Sequence, residues 1–178
     1  TIEVLRPGTQ TTVQDYPGRL RYWDVGIPPS GPMDNLSFRL GNLLVGNEEK
    51  ATGLEITGLG PSLKFNQFCV VAVCGAAGEA LLNDKQLDFW QAHDVSPGDL
   101  LDLGQVHPHG MRYYLTVSGG LDIPDYLGSK STFTLGKFGG HCGRALQTGD
   151  ILRIGNLQTD KPLARLAPHG IPKISDNW

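Results

Sequence analysis

The chain has 178 residues and carries 15 Lys and Arg against 18 Asp and Glu, which gives a formal net charge of −3. The basic residues are scattered along the sequence, which argues against non-specific nucleic-acid binding, because such binding uses clustered Lys and Arg. No apolar run reaches the ~18 residues of a membrane-spanning helix, so we expect no membrane span. The length permits one domain or two small ones and is sufficient for a buried core.

The three cysteines are an odd number for a disulfide framework. Cys69 and Cys74 belong to one predicted strand, in which their side chains would face opposite sides, so we expect no bridge between them. This use of cysteine predicts a reduced, cytoplasmic protein.

Glycines and prolines separate short apolar or β-branched segments, a pattern typical of an all-β barrel or sandwich. The predicted strands, in chain order, are 2–5, 11–14, 52–57, 62–65, 69–74, 79–82, 86–90, 100–103, 111–117 and 151–154. Segment 69–74 is apolar on both faces and should lie in the interior of a sheet. One helical turn is expected at 124–127. From Asn156 the apolar pattern ends, so the proline-containing segment 156–178 is predicted to be an extended tail.

One helix is predicted between Pro32 and Gly46. Pro32 suits the first helical position, Ser30 or Gly31 could cap it, and Gly46 suits the C-terminal cap. Its apolar face is expected to consist of Met33, Leu36, Leu40 and Leu43 or Leu44. The polar, proline-rich loop before it would present N–H groups and the positive end of the helix dipole to an anion or a carbonyl. A loop that only reverses the chain would have the same composition.

About ten strands, one helix and tight turns therefore predict a mainly-β barrel with one covering helix.

Six motifs in this order resemble one known family. They are QTTVQD at 10–15, GIPPSGPMD at 26–34, LVGN at 44–47, GGLD at 119–122, LGSKST at 127–132 and GGHCGR at 139–144. Together they resemble the first half of the carboxyltransferase domain of urea carboxylase and urea amidolyase (allophanate hydrolase subunit 2-like). The same family includes the C subunit of bacterial 5-oxoprolinase.

The resemblance implies a cyclophilin-like fold, which is a closed β-barrel with one covering helix, over residues 1–155. It also implies that residues 156–178 are a linker or tail toward a second barrel, into which the family's domain continues.

The implied activity is biotin-dependent. Carboxybiotin would deliver its carboxyl group to a nitrogen of urea, or of the similar substrate guanidine, and the product from urea is allophanate. No Ala-Met-Lys-Met context and no glycine-rich ATP loop occur here. Biotin and ATP would therefore be handled by separate biotin carrier and biotin carboxylase domains, which are the expected partners. This part of the enzyme is expected to be inactive alone.

Two other functions stay open. One is the C subunit of a ring-opening 5-oxoprolinase, although the segments 15–19, 22–26 and 28–34 resemble the urea branch more closely. The other is a non-catalytic regulatory or binding barrel.

Carboxyl transfer needs a base for the acceptor nitrogen and cations or N–H groups for the carboxylate in transit. Asp34 is predicted to bind substrate or accept the proton, unless it only favours the helix N-terminus. Lys130 and Arg144 are the predicted carboxylate-binding cations, although either could simply be solvated. His141 is a candidate base, or else a packed or surface histidine.

The remaining predicted contacts are substrate-binding. They are Gln14, Asp15, Ser30, Gly31, Met33 and Ser131. Asp15 could instead form a turn with Gly18. His107 and His109 have no third and fourth ligand at familiar spacing, so we expect no metal site. The arginines Arg19, Arg39 and Arg112 are expected to form structural ion pairs with Asp24, Glu55 or Asp122.

Overall fold

The computed structural model describes residues 1–107, 109–156 and 166–173, and within them the chain forms eleven β-strands, one α-helix and two 3₁₀ turns. The strands are β1 (Ile2–Arg6), β2 (Gln10–Gln14), β3 (Gly53–Thr57), β4 (Ser62–Phe65), β5 (Cys69–Gly75), β6 (Gly78–Leu82), β7 (Lys85–Gln86), β8 (Ala92–Val95), β9 (Leu100–Val106), β10 (Arg112–Val117) and β11 (Ile151–Leu152). The helix α1 is Asn35–Leu44, and the 3₁₀ turns are Trp23–Val25 and Pro168–Gly170.

The strands form two antiparallel sheets. The first has the order β11-β1-β4-β9-β6-β7 and the second the order β2-β3-β10-β5-β8. This confirms the mainly-β class with one helix. The closed barrel is not confirmed, because no ladder of hydrogen bonds between described strands joins the two sheets into a continuous surface.

The main core lies between the sheets and follows the two-residue alternation of the strands. The first sheet contributes Ile2, Val4, Leu63, Leu101 and Leu103, and the second contributes Leu54, Ile56, Val71, Val73, Tyr113 and Leu115. All of these side chains are fully buried. β5 lies between β10 and β8, which confirms the predicted interior strand.

The second sheet is buried on its outer face as well, because α1 covers β10 and β5 there. The Phe38 ring packs edge-on against the Tyr114 ring, with their centroids 5.7 Å apart. Gly41 permits this close approach, since a Cβ at Gly41 would lie only 3.1 Å from the Thr116 side chain. Cys74 belongs to this outer cluster and Cys69 to the main core, so the two thiols face opposite sides as predicted.

The helix differs from the prediction in its start and in its buried face. Asp34 is the N-cap, and its carboxylate accepts a hydrogen bond from the Ser37 N–H. The expected start at Pro32 is therefore wrong. The buried face consists of Ser37, Phe38, Gly41, Asn42 and Leu44, whereas Met33, Leu36 and Leu43 are exposed. Both faces of α1 carry apolar residues, and only the face with Gly41 can lie close to the sheet.

Three other segments differ from the prediction. The strand predicted at 86–90 is shorter and begins one residue earlier, because β7 consists of Lys85–Gln86 and pairs with β6. The strand β8 was not predicted, since its sequence Ala-His-Asp-Val has little apolar pattern. Residues 124–127 form no helical turn, and Tyr126 instead forms a single β-bridge with Ser129.

Much of the predicted tail, at 157–165 and 174–178, lies outside the described residues. In the described part, the Leu166 N–H donates to the Trp90 carbonyl over 3.0 Å. Leu166 and Ile171 pack against the outer cluster that contains Trp90 and Leu44. No helix among the described residues is long and apolar enough to cross a membrane.

We expect Phe38→Ala to lower the free energy of unfolding by about 3–5 kcal/mol, because it removes a fully buried ring and leaves a cavity beneath α1. Leu36→Ala is the matched control on the exposed face of the same helix, with an expected change below about 0.5 kcal/mol. Urea denaturation measures both values. Equal losses in the two variants would contradict the assigned orientation of α1.

Candidate functional site

Asp15 joins two segments that are far apart in sequence. The first is the entry loop, residues 15–34, between β2 and α1, and the second is the return loop, residues 125–140, between β10 and β11. The Asp15 carboxylate accepts hydrogen bonds from the Ser129 hydroxyl (2.6 Å), the Lys130 N–H (2.9 Å) and the Ser131 hydroxyl. In return, the Asp15 N–H donates to Ser131 Oγ over 2.9 Å. Asp15 therefore fixes the return loop against the end of β2.

Arg19 in the entry loop also holds the return loop, through its backbone carbonyls. The residue is fully buried, and burial lowers the pKa of its guanidinium. Its donors reach the carbonyls of Tyr126 (3.0 Å), Ser129 (3.4 Å) and Ser131 (3.1 Å). No described carboxylate forms a salt bridge with it, so the expected pairing with Asp24, Glu55 or Asp122 does not occur. Arg112 does lie near Glu55, with 3.5 Å between Nε and Oε1.

A cavity of about 490 Å³ lies beside these two loops. It contains two of the predicted site residues, Asp15 and Lys130. The other lining residues are Tyr16, Pro17, Gly18, Asn47, Glu48, Lys50, Ala51, Thr52, Gly119, Leu121, Asp125, Gly128 and Asn156. The lining residues at 47–52 and 119–121 were not predicted from the sequence, because only the packing of β3 beside β10 brings these segments together.

Buried polar side chains hold part of the cavity wall through hydrogen bonds. Asn47 donates to the Val117 carbonyl over 2.8 Å and accepts from the Gly119 N–H over 2.7 Å. The Thr52 hydroxyl donates to the Leu121 carbonyl and accepts from the Leu121 N–H, both over 2.6 Å. These side chains are therefore fully used in holding the wall.

The charged side chains at the cavity differ in whether they have an ion-pair or hydrogen-bond partner. Lys50 pairs with Glu48 over 3.0 Å, and both side chains are largely exposed. Asp125 accepts from the Gly128 N–H over 2.9 Å through one oxygen. The Lys130 ammonium forms no ion pair with any described carboxylate. Lys130 is therefore the cation in this cavity that is available to a ligand.

The predicted binding residues at the helix entrance form a second group. The Gly31 N–H donates to Gln14 Oε1 over 3.0 Å, and the Met33 N–H donates to Glu55 Oε2 over 2.7 Å. The Asp34 N–H donates to the Tyr114 hydroxyl over 2.7 Å. These three N–H groups have acceptors within the protein, so the predicted anion-binding loop is internally satisfied.

Ser30 connects this group to the buried guanidinium, because Arg19 Nη1 donates to Ser30 Oγ over 3.2 Å. Hydrogen bonds through Arg19 thus link Ser30 to Ser131, and Asp15 links Ser131 to Lys130. The Gln14–Gly31 hydrogen bond lies beside this network in the chain, since Gln14 precedes Asp15 and Gly31 follows Ser30. Met33 and Asp34 lie next to it at the start of α1.

Arg144 and His141 belong to a separate cluster around Asp150. Arg144 holds this carboxylate with both terminal nitrogens, at 2.7 and 2.8 Å. His141 Nε2 lies 3.4 Å from Asp150 Oδ1 and lines a second cavity of about 450 Å³. The hydrogen bonds from Arg144 are the main reason that the pKa of Asp150 is lowered to about 2. The Arg144 guanidinium is therefore already paired.

Among the described residues, no group of three or more His, Cys, Asp or Glu side chains has an arrangement that would hold a metal ion. The three cysteines are free. Cys69 and Cys74 are buried, and burial raises the pKa of Cys69 to about 12 and raises the pKa of Cys74 as well. Cys142 is exposed.

The Asp150 cluster predicts a pH-dependent stability. The folded-state pKa of about 2 lies below the ordinary value of 3.8, so the ionised carboxylate stabilises the fold above about pH 4. This contribution is lost as the pH falls through the folded-state pKa. Solvent near the pair screens it, and we expect Asp150→Asn to cost about 1–2 kcal/mol at pH 7.

Urea denaturation of both proteins between pH 7 and pH 3 measures the effect. The difference between the unmodified protein and Asp150→Asn should shrink below about pH 4, because the Asp150 carboxyl group of the unfolded chain then binds a proton while that of the folded chain stays ionised. A difference that stays constant over this range would contradict the role of the ion pair.

Comparison with known proteins agrees with this architecture. The family model for the carboxyltransferase domain, subdomain A and B, matches residues 25–178. The urea amidolyase of Lachancea kluyveri is 44% identical over 183 residues, which covers 98% of this chain and 10% of that protein. The C subunit of the Escherichia coli 5-oxoprolinase is 39% identical over 159 residues, which covers 89% of this chain and 51% of that protein.

The crystal structure of the K. lactis urea amidolyase superposes with a TM-score of 0.90 at 46% sequence identity, covering 99% of this chain and 11% of that one. This chain thus spans about a tenth of the length of the urea amidolyases and about half of the 5-oxoprolinase protein. Because the family match covers most of the sequence, this chain belongs to the family of carboxyltransferase domains, subdomain A and B.

Proposed function

We propose that this chain is part of the carboxyltransferase component of a biotin-dependent urea carboxylase, which transfers the carboxyl group of carboxybiotin to urea and forms allophanate. The observation that carries the proposal is the open cavity in which Lys130 is the ammonium without a described carboxylate partner. The 44% identity to a urea amidolyase over nearly the whole chain favours urea among the possible acceptors.

The cavity fits a small carboxylated ligand. Its volume of about 490 Å³ lies within the range of small-molecule sites, roughly 300–1,000 Å³. Carboxybiotin, when bound, supplies the carboxyl group that is transferred. The Lys130 ammonium would neutralise the carboxylate in transit, where positive charge lowers the barrier most. The fixed backbone at Lys130 leaves only its side chain free to adjust.

The acceptor nitrogen must lose a proton, because urea is a very weak base and a poor nucleophile. Asp125 lines the cavity, and its second carboxylate oxygen has no partner among the described residues. We propose that this oxygen accepts the proton that the acceptor nitrogen loses. Asp15 lines the same cavity, but both of its oxygens are engaged with the return loop, so it acts as a structural acceptor.

Several residues expected to bind substrate or to act in catalysis have internal partners. Asp34 caps α1, and Arg144 is paired with Asp150, so we assign structural roles to both. His141 as a base stays a prediction for the second cavity. The other residues predicted to bind substrate would influence binding indirectly, by fixing the conformation of the entry and return loops. They are Gln14, Ser30, Gly31, Met33 and Ser131.

The proposed partners are the biotin carrier and biotin carboxylase domains, the latter using ATP, and the remaining part of the carboxyltransferase domain. Several large exposed apolar side chains lie on the entry loop, α1 and the return loop, and we propose that these side chains contact the other domains. They are Leu20, Trp23, Val25, Met33, Leu36, Leu43 and Leu135. The free cysteines support a cytoplasmic location.

A second candidate is a 5-oxoprolinase, because the C subunit of that enzyme is 39% identical and is covered over about half of its length. Its substrate is also a small amide, so a cavity with a free ammonium would suit it equally well.

Substrate specificity is tested with the complete protein that contains this chain, assayed for ADP formation with urea, guanidine or 5-oxoproline, each with and without bicarbonate. We expect turnover with urea and formation of allophanate. Turnover with 5-oxoproline alone would replace the proposal with the second candidate. Lack of turnover with all three, in a protein whose biotin is still carboxylated, would favour a non-catalytic binding module.

The role of Lys130 is tested by Lys130→Gln in the same protein. We expect kcat/KM for urea to fall about 100-fold, because the transferred carboxylate loses its counter-charge. Carboxylation of biotin should be unchanged. Lys85→Gln is the matched control, since Lys85 is an exposed lysine on the short edge strand β7 and lies outside the cavity. Equal activity of Lys130→Gln and Lys85→Gln would exclude this cavity as the site of transfer.

A further inference from the structure

The backbone at Lys130 is held at every polar group. The Lys130 N–H donates to the Asp15 carboxylate, and the Lys130 carbonyl accepts from the Gly140 N–H over 3.0 Å. On either side, the carbonyls of Ser129 and Ser131 both accept from Nη2 of Arg19. A carboxylate and a guanidinium thus hold the same three residues through different polar groups.

Arg19 is unusual for a buried cation, because all of its described hydrogen-bond acceptors are uncharged. They are three carbonyls of the return loop and the Ser30 hydroxyl of the entry loop. The Phe138 ring of the return loop packs against the guanidinium, with 4.9 Å between Cζ and the ring centroid. Each of these contacts therefore links the entry loop to itself or to the return loop.

The space beside the Arg19 guanidinium is narrow at Gly139. Gly139 packs against it, and a Cβ at Gly139 would lie 2.7 Å from Arg19 Nη2 and 2.1 Å from the Ser131 carbonyl oxygen. A lysine at position 19 carries the same charge but cannot supply a planar fork of donors to several carbonyls. The geometry, and not only the charge, is specific to arginine.

The two loops that Arg19 joins are also the two that flank the cavity. The entry loop contributes Asp15 and the turn at 16–18 to its lining, and the return loop contributes Asp125, Gly128 and Lys130. A shift of one loop against the other would move Asp125 and Lys130 relative to the part of the cavity that the entry loop lines. Their distances to a bound ligand would then change. A change far from the reacting groups that misplaces them by about 1 Å is sufficient to reduce the rate by about 100-fold.

We propose that Arg19 is a positioning residue, whose buried guanidinium fixes the entry loop against the return loop and thereby sets the geometry of Lys130 and Asp125 in the cavity. This inference rests on the proposed function of that cavity. A buried charge costs free energy compared with an apolar side chain of similar volume, and specification of one geometry is a physical reason to retain it.

The test uses the complete protein that contains this chain, with Arg19→Lys as the main variant and Ser30→Ala as a milder one that removes a single acceptor. Arg21→Lys is the matched control, because Arg21 is exposed and has no described ion pair. We expect Arg19→Lys to raise KM for urea about tenfold and to lower kcat, since the ligand contacts are misaligned. Ser30→Ala should shift KM in the same direction by less. Carboxylation of biotin and the control should keep their unmodified rates.

Hydrogen exchange gives a second readout that needs no substrate. In Arg19→Lys, exchange at the amides of Lys130 and Ser131 should accelerate, while exchange in the interior strands β5 and β10 stays as in the unmodified protein. Either of two results would overturn the proposal. One is a lower kcat with an unchanged KM, which reports only a loss of folded enzyme, and the other is exchange that rises equally throughout both sheets.

Failure of the proposed function is distinguishable from failure of this inference. An unmodified protein that does not turn over urea removes the proposed function without reference to any variant. The exchange measurement then decides the inference alone: faster exchange confined to the two loops supports Arg19 as the residue that fixes them, and unchanged exchange contradicts it.

Discussion

The conformation of the site depends on one strip of backbone, residues 129–131, which forms hydrogen bonds with both a carboxylate and a buried guanidinium. Asp15 accepts from the N–H and hydroxyl groups of the strip, and Arg19 donates to its carbonyls. Each charged side chain therefore satisfies the polar groups that the other cannot. Hydrogen bonds to charged groups are stronger than those between neutral groups, so this arrangement holds two long loops that have little regular secondary structure to order them.

At the start of α1, backbone N–H groups are likewise satisfied by side chains of the protein. Glu55 and Tyr114, on neighbouring strands, accept from the N–H groups of Met33 and Asp34. Desolvation raises the pKa of the Tyr114 hydroxyl, which therefore stays neutral and can act as both donor and acceptor. The helix entrance is thus part of the scaffold, and the cavity at the other end of the entry loop is where charge remains available for a ligand.

Much of the fold follows from the sequence, because most strands are short apolar segments bounded by Gly and Pro. The buried face of α1 could not be predicted, because apolar residues occur on two faces of the helix. Leu36 and Leu43 lie on one face, and Phe38 and Leu44 lie on the other. The strand β8 carries His93 and Asp94 and gave no period-2 signal. Of the cavity, Asp15 and Lys130 were predicted from the resemblance and their local chemistry. Arg19 was predicted to pair with a carboxylate, which is wrong. Its acceptors include backbone carbonyls, which every residue has, so the sequence does not reveal them.

The positions of the three thiols have a practical consequence. Cys69 and Cys74 are buried on opposite faces of one strand, whereas Cys142 is exposed. An alkylating reagent near neutral pH will therefore modify one sulfur per folded molecule and three per unfolded molecule, because reaction requires an accessible thiolate. Mass spectrometry of the alkylated chain then counts folded and unfolded molecules directly, without any optical probe.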